Sequence, residues 1–400
     1  MALPDKPSIA ILPFDNMSSD PEQEFFADGI AEDIITELSK FRSLFVIARN
    51  SSFAFKGQAL EVREIGQRLG VRYVVEGSVR RAGNRVRITA QLIDAVDDTH
   101  LWAERYDRNL DDIFAVQDEV THAIVTTIEP HLADTERQRA RRKPPDSLGA
   151  WESYQRGLWH LYRISPKEIA TGVGFMEQAI ERDPNFALAH AGLAFSLCYY
   201  VLTGASGNRE QDIERAYQAG KLAVTLDAAD PFAQVALGRV FSIRGEHENA
   251  IQHCDRAISQ NPSYSMAHFG RGHSLWMSGH PADALLSNAE AMRLSPRDPV
   301  MWAYMASRSI ALTLLERYDE ALDWARRALQ QHNTALHASV AEMAALGHLG
   351  RADEAAYAVE RVRGHWPGVT LEFILTSLPI TDPECKARFA DGLRRAGLAD

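Results

Sequence analysis

The chain has 400 residues, 46% of them hydrophobic, and a formal net charge of −11. That size and apolar share give two or more soluble domains with ample core, and the acidic balance argues against general nucleic-acid binding. Cys198, Cys254 and Cys385 are far apart and in no C-x-x-C spacing, which excludes a disulfide framework and fits a reducing cytosol.

The amino terminus, MALPDKPSIAILPF, lacks the pattern of a signal peptide, and no run approaches 18 apolar residues. A cytoplasmic protein without a membrane span is expected. Residues 1–136 carry a balance of −10, residues 137–143 (RQRARRK) one of +5, and residues 144–400 one of −6.

The run from Ser8 to Phe14 reads as a short buried strand. Phe26, Ile30, Ile34, Ile35 and Leu38 recur at helical spacing, with Ser19 or Asp20 as caps. Leu44 to Ala48 (LFVIA) predicts a second buried strand, and Leu60 to Leu69 a short helix stopped by Gly70. Val71 to Val79 and Arg85 to Ile93 alternate by twos around Ala82-Gly83-Asn84, where Gly83 and Asn84 supply the positive φ angles of a tight hairpin. Leu101 to Tyr106 adds a strand. Asp111 to Leu132 then places Ile113, Val116, Val120, Ile124, Val125 and Ile128 on one stripe of a helix that packs on the sheet.

From IAILPFDNMSSDPEQEFFADGIAEDIITELSKFRSLFVIARNSSF through LGVRYVVEGSVRRAGNRVRITAQLIDAVDDTHLWAERYDR and DIFAVQDEV, the first 135 or so residues resemble the TolB-amino-terminal-like domain. In bacterial signalling proteins this domain commonly precedes tetratricopeptide repeats. The resemblance extends to the carboxy-terminal halves of class III adenylate cyclases and to transcriptional activators that begin with a winged helix. Met1 stands only a few residues before the first strand, so neither of those leading domains, nor its activity, is expected in this chain.

Residues 137–147 read as a basic, proline-broken linker. RQRARRK is either an anchor for an acidic partner or a solvated helix end favoured by the helix dipole.

From Pro231 to Pro296 two 34-residue units follow each other without a gap. Gly238, Phe241, Gly245, Ala250, Ala257 and Asn261-Pro262 in the first unit answer to Gly272, Leu275, Gly279, Ala284, Ala291 and Ser295-Pro296 in the second. Small residues at helix crossings and proline at the exit, at this period, are the tetratricopeptide pattern. Weaker units extend it over 148–382. The unit from Asn185 carries about ten extra residues around Gly204 to Glu210, expected as a longer inter-helix loop, and 383–400 reads as a capping helix. The fold class is therefore an α+β amino-terminal domain over 1–136, a mixed sheet with packed helices, followed by an all-α tetratricopeptide solenoid.

The resemblance implies that the first helix of each pair lines a groove. Its positions fall on Phe232, Val235, Arg239 and Ile243, then Met266, Phe269, His273, Trp276 and Met277. Phe232, Phe269, Trp276 and Met277 are apolar anchors in this reading, with Arg239 and His273 giving polar register to a protein or peptide partner. The alternative is that this face is covered from within. Truncating Phe269 and Trp276 together is expected to abolish binding without unfolding the chain.

No catalytic constellation, cofactor site or metal site is expected. His247, His253, His268 and His273 share no ligand spacing, and Asp97-Asp98 and Asp111-Asp112 read as turn and helix caps. Arg85 and Arg87 lie on one face of the hairpin, where they pair with acidic neighbours or grip phosphate. The expected function is a non-enzymatic signalling scaffold. The alternatives are the regulatory part of an adenylate cyclase and a DNA-associated regulator.

Overall fold

The apolar run after Pro7 forms β1 (Ser8–Ile11), buried along its whole length. It belongs to the first of two units, Met1–Arg139 and Ala140–Asp400, into which the chain divides. The structure, a computed structural model, describes residues 6–18, 23–58, 60–110, 112–163, 165–296, 298–331, 336–366 and 368–399.

In the first unit β2 (Asp15–Asn16), α1 (Gln23–Leu38), β3 (Phe45–Val46), α2 (Arg49–Phe53) and α3 (Val62–Leu69) precede a meander. It is made of β4 (Tyr73–Ala82), β5 (Arg85–Asp94) and β6 (Thr99–Asn109), and α4 (Ile113–Arg142) follows. The strand order is β3-β1-β4-β5-β6, with β2 on β4 beyond the end of β1. β1 runs parallel to both neighbours and the meander is antiparallel, so the sheet is mixed. The LFVIA strand shrinks to Phe45–Val46, because β1 offers it partners only at Ser8 and Ile9.

Phe26, Ile30, Ile34, Ile35 and Leu38 are buried on α1, and Val116, Val120, Ile124, Val125 and Ile128 on α4. Ile113 departs from that stripe, since the helix's first residue stays exposed. The hairpin turn is also corrected: Gly83 alone has a positive φ, of 61°, the arrangement of a type II′ turn, in which the second central residue keeps a negative φ. The expected caps Ser19 and Asp20, and Asp111, lie outside the described residues. Asp112 caps α4, its carboxylate accepting from the Phe114 and Ala115 amides. Asp97 instead pairs with Arg72 at 2.7 Å, beside the buried Arg72–Asp94 pair at 2.8 Å.

In the second unit, helices follow in antiparallel pairs of short connection. They are α5 (Ala150–Leu161) with α6 (Pro166–Arg182), α7 (Ala187–Leu202) with α8 (Arg209–Leu226), and α9 (Pro231–Ile243) with α10 (His247–Gln260). Next come α11 (Ser265–Met277) with α12 (Pro281–Leu294), α13 (Met301–Leu314) with α14 (Tyr318–Leu329), and α15 (Leu336–Leu349) with α16 (Ala352–His365). Small residues set the crossing. A Cβ on Gly272 of α11 would stand 2.8 Å from Asn288 Oδ1 and 3.2 Å from the Ala284 carbonyl on α12. The turn out of α11 needs Gly279 at φ 92°, which side-chain-bearing residues rarely adopt.

The extra residues of the second pair go mostly into helix rather than loop. α7 and α8 have 16 and 18 residues against 13 and 14 in α9 and α10. Gly204, Ser206, Gly207 and Asn208, poor helix formers, stay in the connection between α7 and α8.

After α16 the chain doubles back through α17 (Leu371–Ser377) to α18 (Pro383–Arg395). The Thr376 carbonyl accepts from Arg209 at 2.9 Å, the Pro379 carbonyl from His247 Nε2–H at 2.8 Å, and the Thr381 amide donates to the Met277 carbonyl at 3.0 Å. Arg388 of α18 donates to the Leu314 carbonyl. The returning segment thus crosses the turns of four successive pairs and caps the array, burying Phe389 and Leu393.

Candidate functional site

The expected recognition positions sit on the first helices of two adjacent pairs, Phe232, Val235, Arg239 and Ile243 on α9 and Met266, Phe269, His273, Trp276 and Met277 on α11. The structure sets the nine on these two neighbouring helices but divides their apolar members among three cores, and does not leave them as an open patch. Trp276 and Met277 are fully buried in a core shared with Ile310, Val340, Ile380 and Phe389. Phe269 packs with Met301, Trp302 and Tyr304, its ring 4.9 Å from that of Tyr304. Val235 and Ile243 belong to the core around Phe195 and Tyr199, and Arg239 and His273 are buried as well. Only Phe232 and Met266 are half-buried.

The physical reason is twofold. The first helices of neighbouring pairs pack on one another, and the returning carboxy-terminal segment fills the remaining space over α11, α13 and α15. The expectation that Phe269 and Trp276 can be truncated without unfolding is therefore corrected: both are core residues.

At the centre of this face a cavity is lined by Tyr199, Arg239, Phe269, His273, Trp302 and His337, among others. Burial, and then the Arg239 charge, His337 and His247, hold the His273 imidazole well below its usual range. Burial and then Arg239 lower His337 to about 4, and burial and then Arg256 lower His253 to about 4. Ser307 lines the same space. Arg239, His273 and Ser307 are each 34 residues apart, so the repeat period itself points to one shared location. Tyr199 and His337 carry no such signal.

These histidines make stability depend on pH. Unfolded imidazoles titrate near 6.5, above the folded values. Below pH 6.5 the unfolded chain binds more protons, so stability present at pH 7 is lost as the pH falls through 6.5 toward 4. Urea midpoints at pH 7.5 and pH 5 are expected to show the drop. A rise at pH 5 would contradict it.

The remaining candidates have structural partners. His268 Nε2–H donates to the Pro262 carbonyl at 2.9 Å and His253 Nδ1–H to Gln234 Oε1 at 2.7 Å. Among the described residues, no group of three or more His, Cys, Asp or Glu could hold a metal ion, and no helix is long and apolar enough to cross a membrane. Arg87 pairs with Asp107 at 2.7 Å across the meander. In the basic run, Arg139 pairs with Glu136, Arg141 lies 4.3 Å from the Trp159 ring and Lys143 pairs with Glu152.

All three cysteines are buried, and burial pushes each thiol up to about 12. The native chain is expected to resist iodoacetamide at pH 8, and to react at all three sites in 8 M urea, as read by intact mass. Rapid native labelling would contradict this packing.

With the geometry in place, comparison with known proteins separates the two units. A family profile described as tetratricopeptide repeat matches residues 269–335. Over those residues the chain carries tetratricopeptide repeats, and the helix pairs together form a tetratricopeptide-like solenoid. For residues 5–123 the matching profile is the HilA/YgeH-like transcriptional regulator, second domain; this differs from the TolB resemblance. TolB from Acinetobacter baumannii aligns with 33% of this chain and 29% of its own at 20% identity and a TM-score of 0.24. A tetratricopeptide protein of Thermus thermophilus aligns with 49% of this chain and 98% of its own, at 20% identity and a TM-score of 0.40. Likenesses of that size carry nothing about function. A protein named putative adenylate cyclase 3, from Rhizobium meliloti (strain 1021), is 45% identical over 240 residues. The match is 60% of this chain and 41% of that relative, so the chain spans about two fifths of the relative's length.

Proposed function

We propose that the chain is a non-enzymatic regulatory scaffold of bacterial signal transduction that binds a protein partner through its tetratricopeptide repeats. The observation that carries this reading is the array of stacked helix pairs, the architecture of protein-interaction modules. Recognition falls on the face of α9 and α11. There Phe232 and Met266 remain accessible at the rim, while Val235, Arg239, Ile243, Phe269, His273, Trp276 and Met277 hold the face rigid from beneath. Apolar and thioether side chains at the edge of a rigid core suit a partner's hydrophobic segment.

Site-specific cross-linking tests this. A photo-reactive amino acid at position 266 is expected to trap a defined protein from the native lysate. The same group at position 286, exposed on α12, is expected to trap none. Equal labelling from both positions would contradict the assignment.

A second reading is favoured by the relative named putative adenylate cyclase 3: the chain acts as the regulatory part of a nucleotide cyclase. It makes no cyclic AMP alone in this reading, but changes the rate of a cyclase catalytic domain added to it. Turnover of ATP by the repurified chain alone would overturn the non-enzymatic assignment. A rate unaffected by the chain would remove the cyclase reading and leave the scaffold.

A further inference from the structure

Hydrogen-bonding groups at the centre of the repeat array do not balance. Arg239 is buried and its Nε lacks a partner, and among the described residues no carboxylate pairs with it. Its guanidinium lies 5.8 Å from the Tyr199 ring centroid. His273 Nδ1 and Trp302 Nε1 are buried without partners too. Ser307 Oγ accepts from Trp276 Nε1 and Asn288 Nδ2, both at 3.1 Å, so its own proton is left to donate. Arg239, His273, Trp302 and Ser307 line one cavity, with His337 at its wall.

By contrast, the buried Arg72 of the first unit has two carboxylates. A buried cation without a counter-charge is among the costliest arrangements a fold can hold. Donors from α9, α11 and α13 converge on one space, and the carboxylate that balances such a set elsewhere is missing from the lining. A single water accepts two hydrogen bonds and must then place two protons of its own. A carboxylate accepts up to about four and brings the missing charge.

We propose that this cavity is a binding site for a small monocarboxylate, paired to the Arg239 guanidinium and held by Trp302 Nε1–H, His273 and Ser307. The free space is about 20 Å³, against the roughly 10–15 Å³ that one water needs, so it takes no more than a single small head group such as a carboxylate. Charge selects the same class. With the imidazoles neutral at pH 7, Arg239 supplies one positive charge, which a monoanion neutralises and a phosphate dianion overshoots.

The groups facing His273 are Arg239 from α9, His337 from α15 and His247 from α10, while Arg239 faces His337. Tyr199 on α7 faces Arg239 as a neutral phenol, its pKa raised by burial. A carboxylate that acts on Tyr199, Asp298, is already engaged by the Tyr304 hydroxyl and the Val300 amide. Both imidazoles stay neutral between pH 8 and 6, so acetate affinity is expected to change little over that range.

The test titrates the full chain with sodium acetate in place of sodium chloride at constant ionic strength, by calorimetry and by melting temperature. Wild type is expected to bind acetate saturably, with similar affinity at pH 6 and pH 8, and to melt higher as the site fills. Arg239→Met is expected to weaken binding roughly tenfold or more, as loss of a charged hydrogen-bonding partner does. It should also melt no lower than wild type when acetate is absent, because the unpaired charge has gone. If that variant fails to fold, Trp302→Phe, which keeps most of the ring and removes the N–H, is expected to weaken acetate binding without abolishing it. Three results would overturn the proposal: no saturable acetate response, an equal response in wild type and both variants, or inorganic phosphate saturating at lower concentration than acetate.

Discussion

Trp276→Ala is expected to destabilise the repeat array by about 3–5 kcal/mol, the range for deleting a buried aromatic side chain. Trp276 is fully buried and, with Trp302, among the largest such side chains of the described residues. It sits where α11 meets α13 and α15, and its Nε1–H donates to Ser307 Oγ at 3.1 Å. Its ring meets that of His273 edge-on at 5.1 Å. Alanine opens a cavity and leaves Ser307 with one donor fewer, and two layers of repeats share the loss. Urea unfolding followed by circular dichroism measures the effect. A change below about 1 kcal/mol would mean that this face is open after all. The double substitution at Phe269 and Trp276 therefore reports on folding, and binding has to be probed at the rim.

Gly347→Ala is expected to release the carboxy-terminal cap, at a cost of about 3 kcal/mol or more. A Cβ there would stand 1.9 Å from the Gly392 carbonyl oxygen and 2.9 Å from the Ala396 amide. Both are backbone atoms, so no side-chain rotation relieves the clash and α18 must move off α15. With α18 go Phe389 and Leu393, both fully buried, and the Arg388 hydrogen bond to the Leu314 carbonyl. Trypsin should then cut at Lys386 and Arg388 under conditions that leave the wild type intact. Gly364→Ala is the control: on α16 a Cβ at that position meets no atom within 4 Å, and alanine is the better helix former. Equal protease resistance of both variants would contradict the close crossing.

The contrast between these residues shows what the sequence can reveal. The 34-residue period, the small residues at helix crossings and the alternating hairpin are local patterns. The helix pairs and meander follow from them directly. Trp276 and Phe269 are legible as groove positions by register but not as core: Phe269 is covered by Met301, Trp302 and Tyr304 of the next pair, and the core of Trp276 includes residues of α17 and α18, about a hundred residues further on. Nothing periodic marks the return of residues 371–388 across the turns of α7, α9, α11 and α13. Gly347 shows the same limit: it looks like any small residue in a repeat until Gly392 is placed against it. Arg239 and His273 are recognisable in the sequence as polar members of the face. Their lack of partners is a three-dimensional fact, since it depends on what α13 and α15 bring near them.

The measurement that bears most directly on the scaffold assignment is the affinity of the partner trapped at position 266 for two forms of the chain, the intact protein and Phe232→Ser/Met266→Ser, by calorimetry. Both substituted positions are half-buried at the rim. Melting within a few degrees of wild type is expected, with binding weakened about tenfold or more, as for loss of two apolar contacts. Equal affinity of the two forms would contradict recognition through the face of α9 and α11.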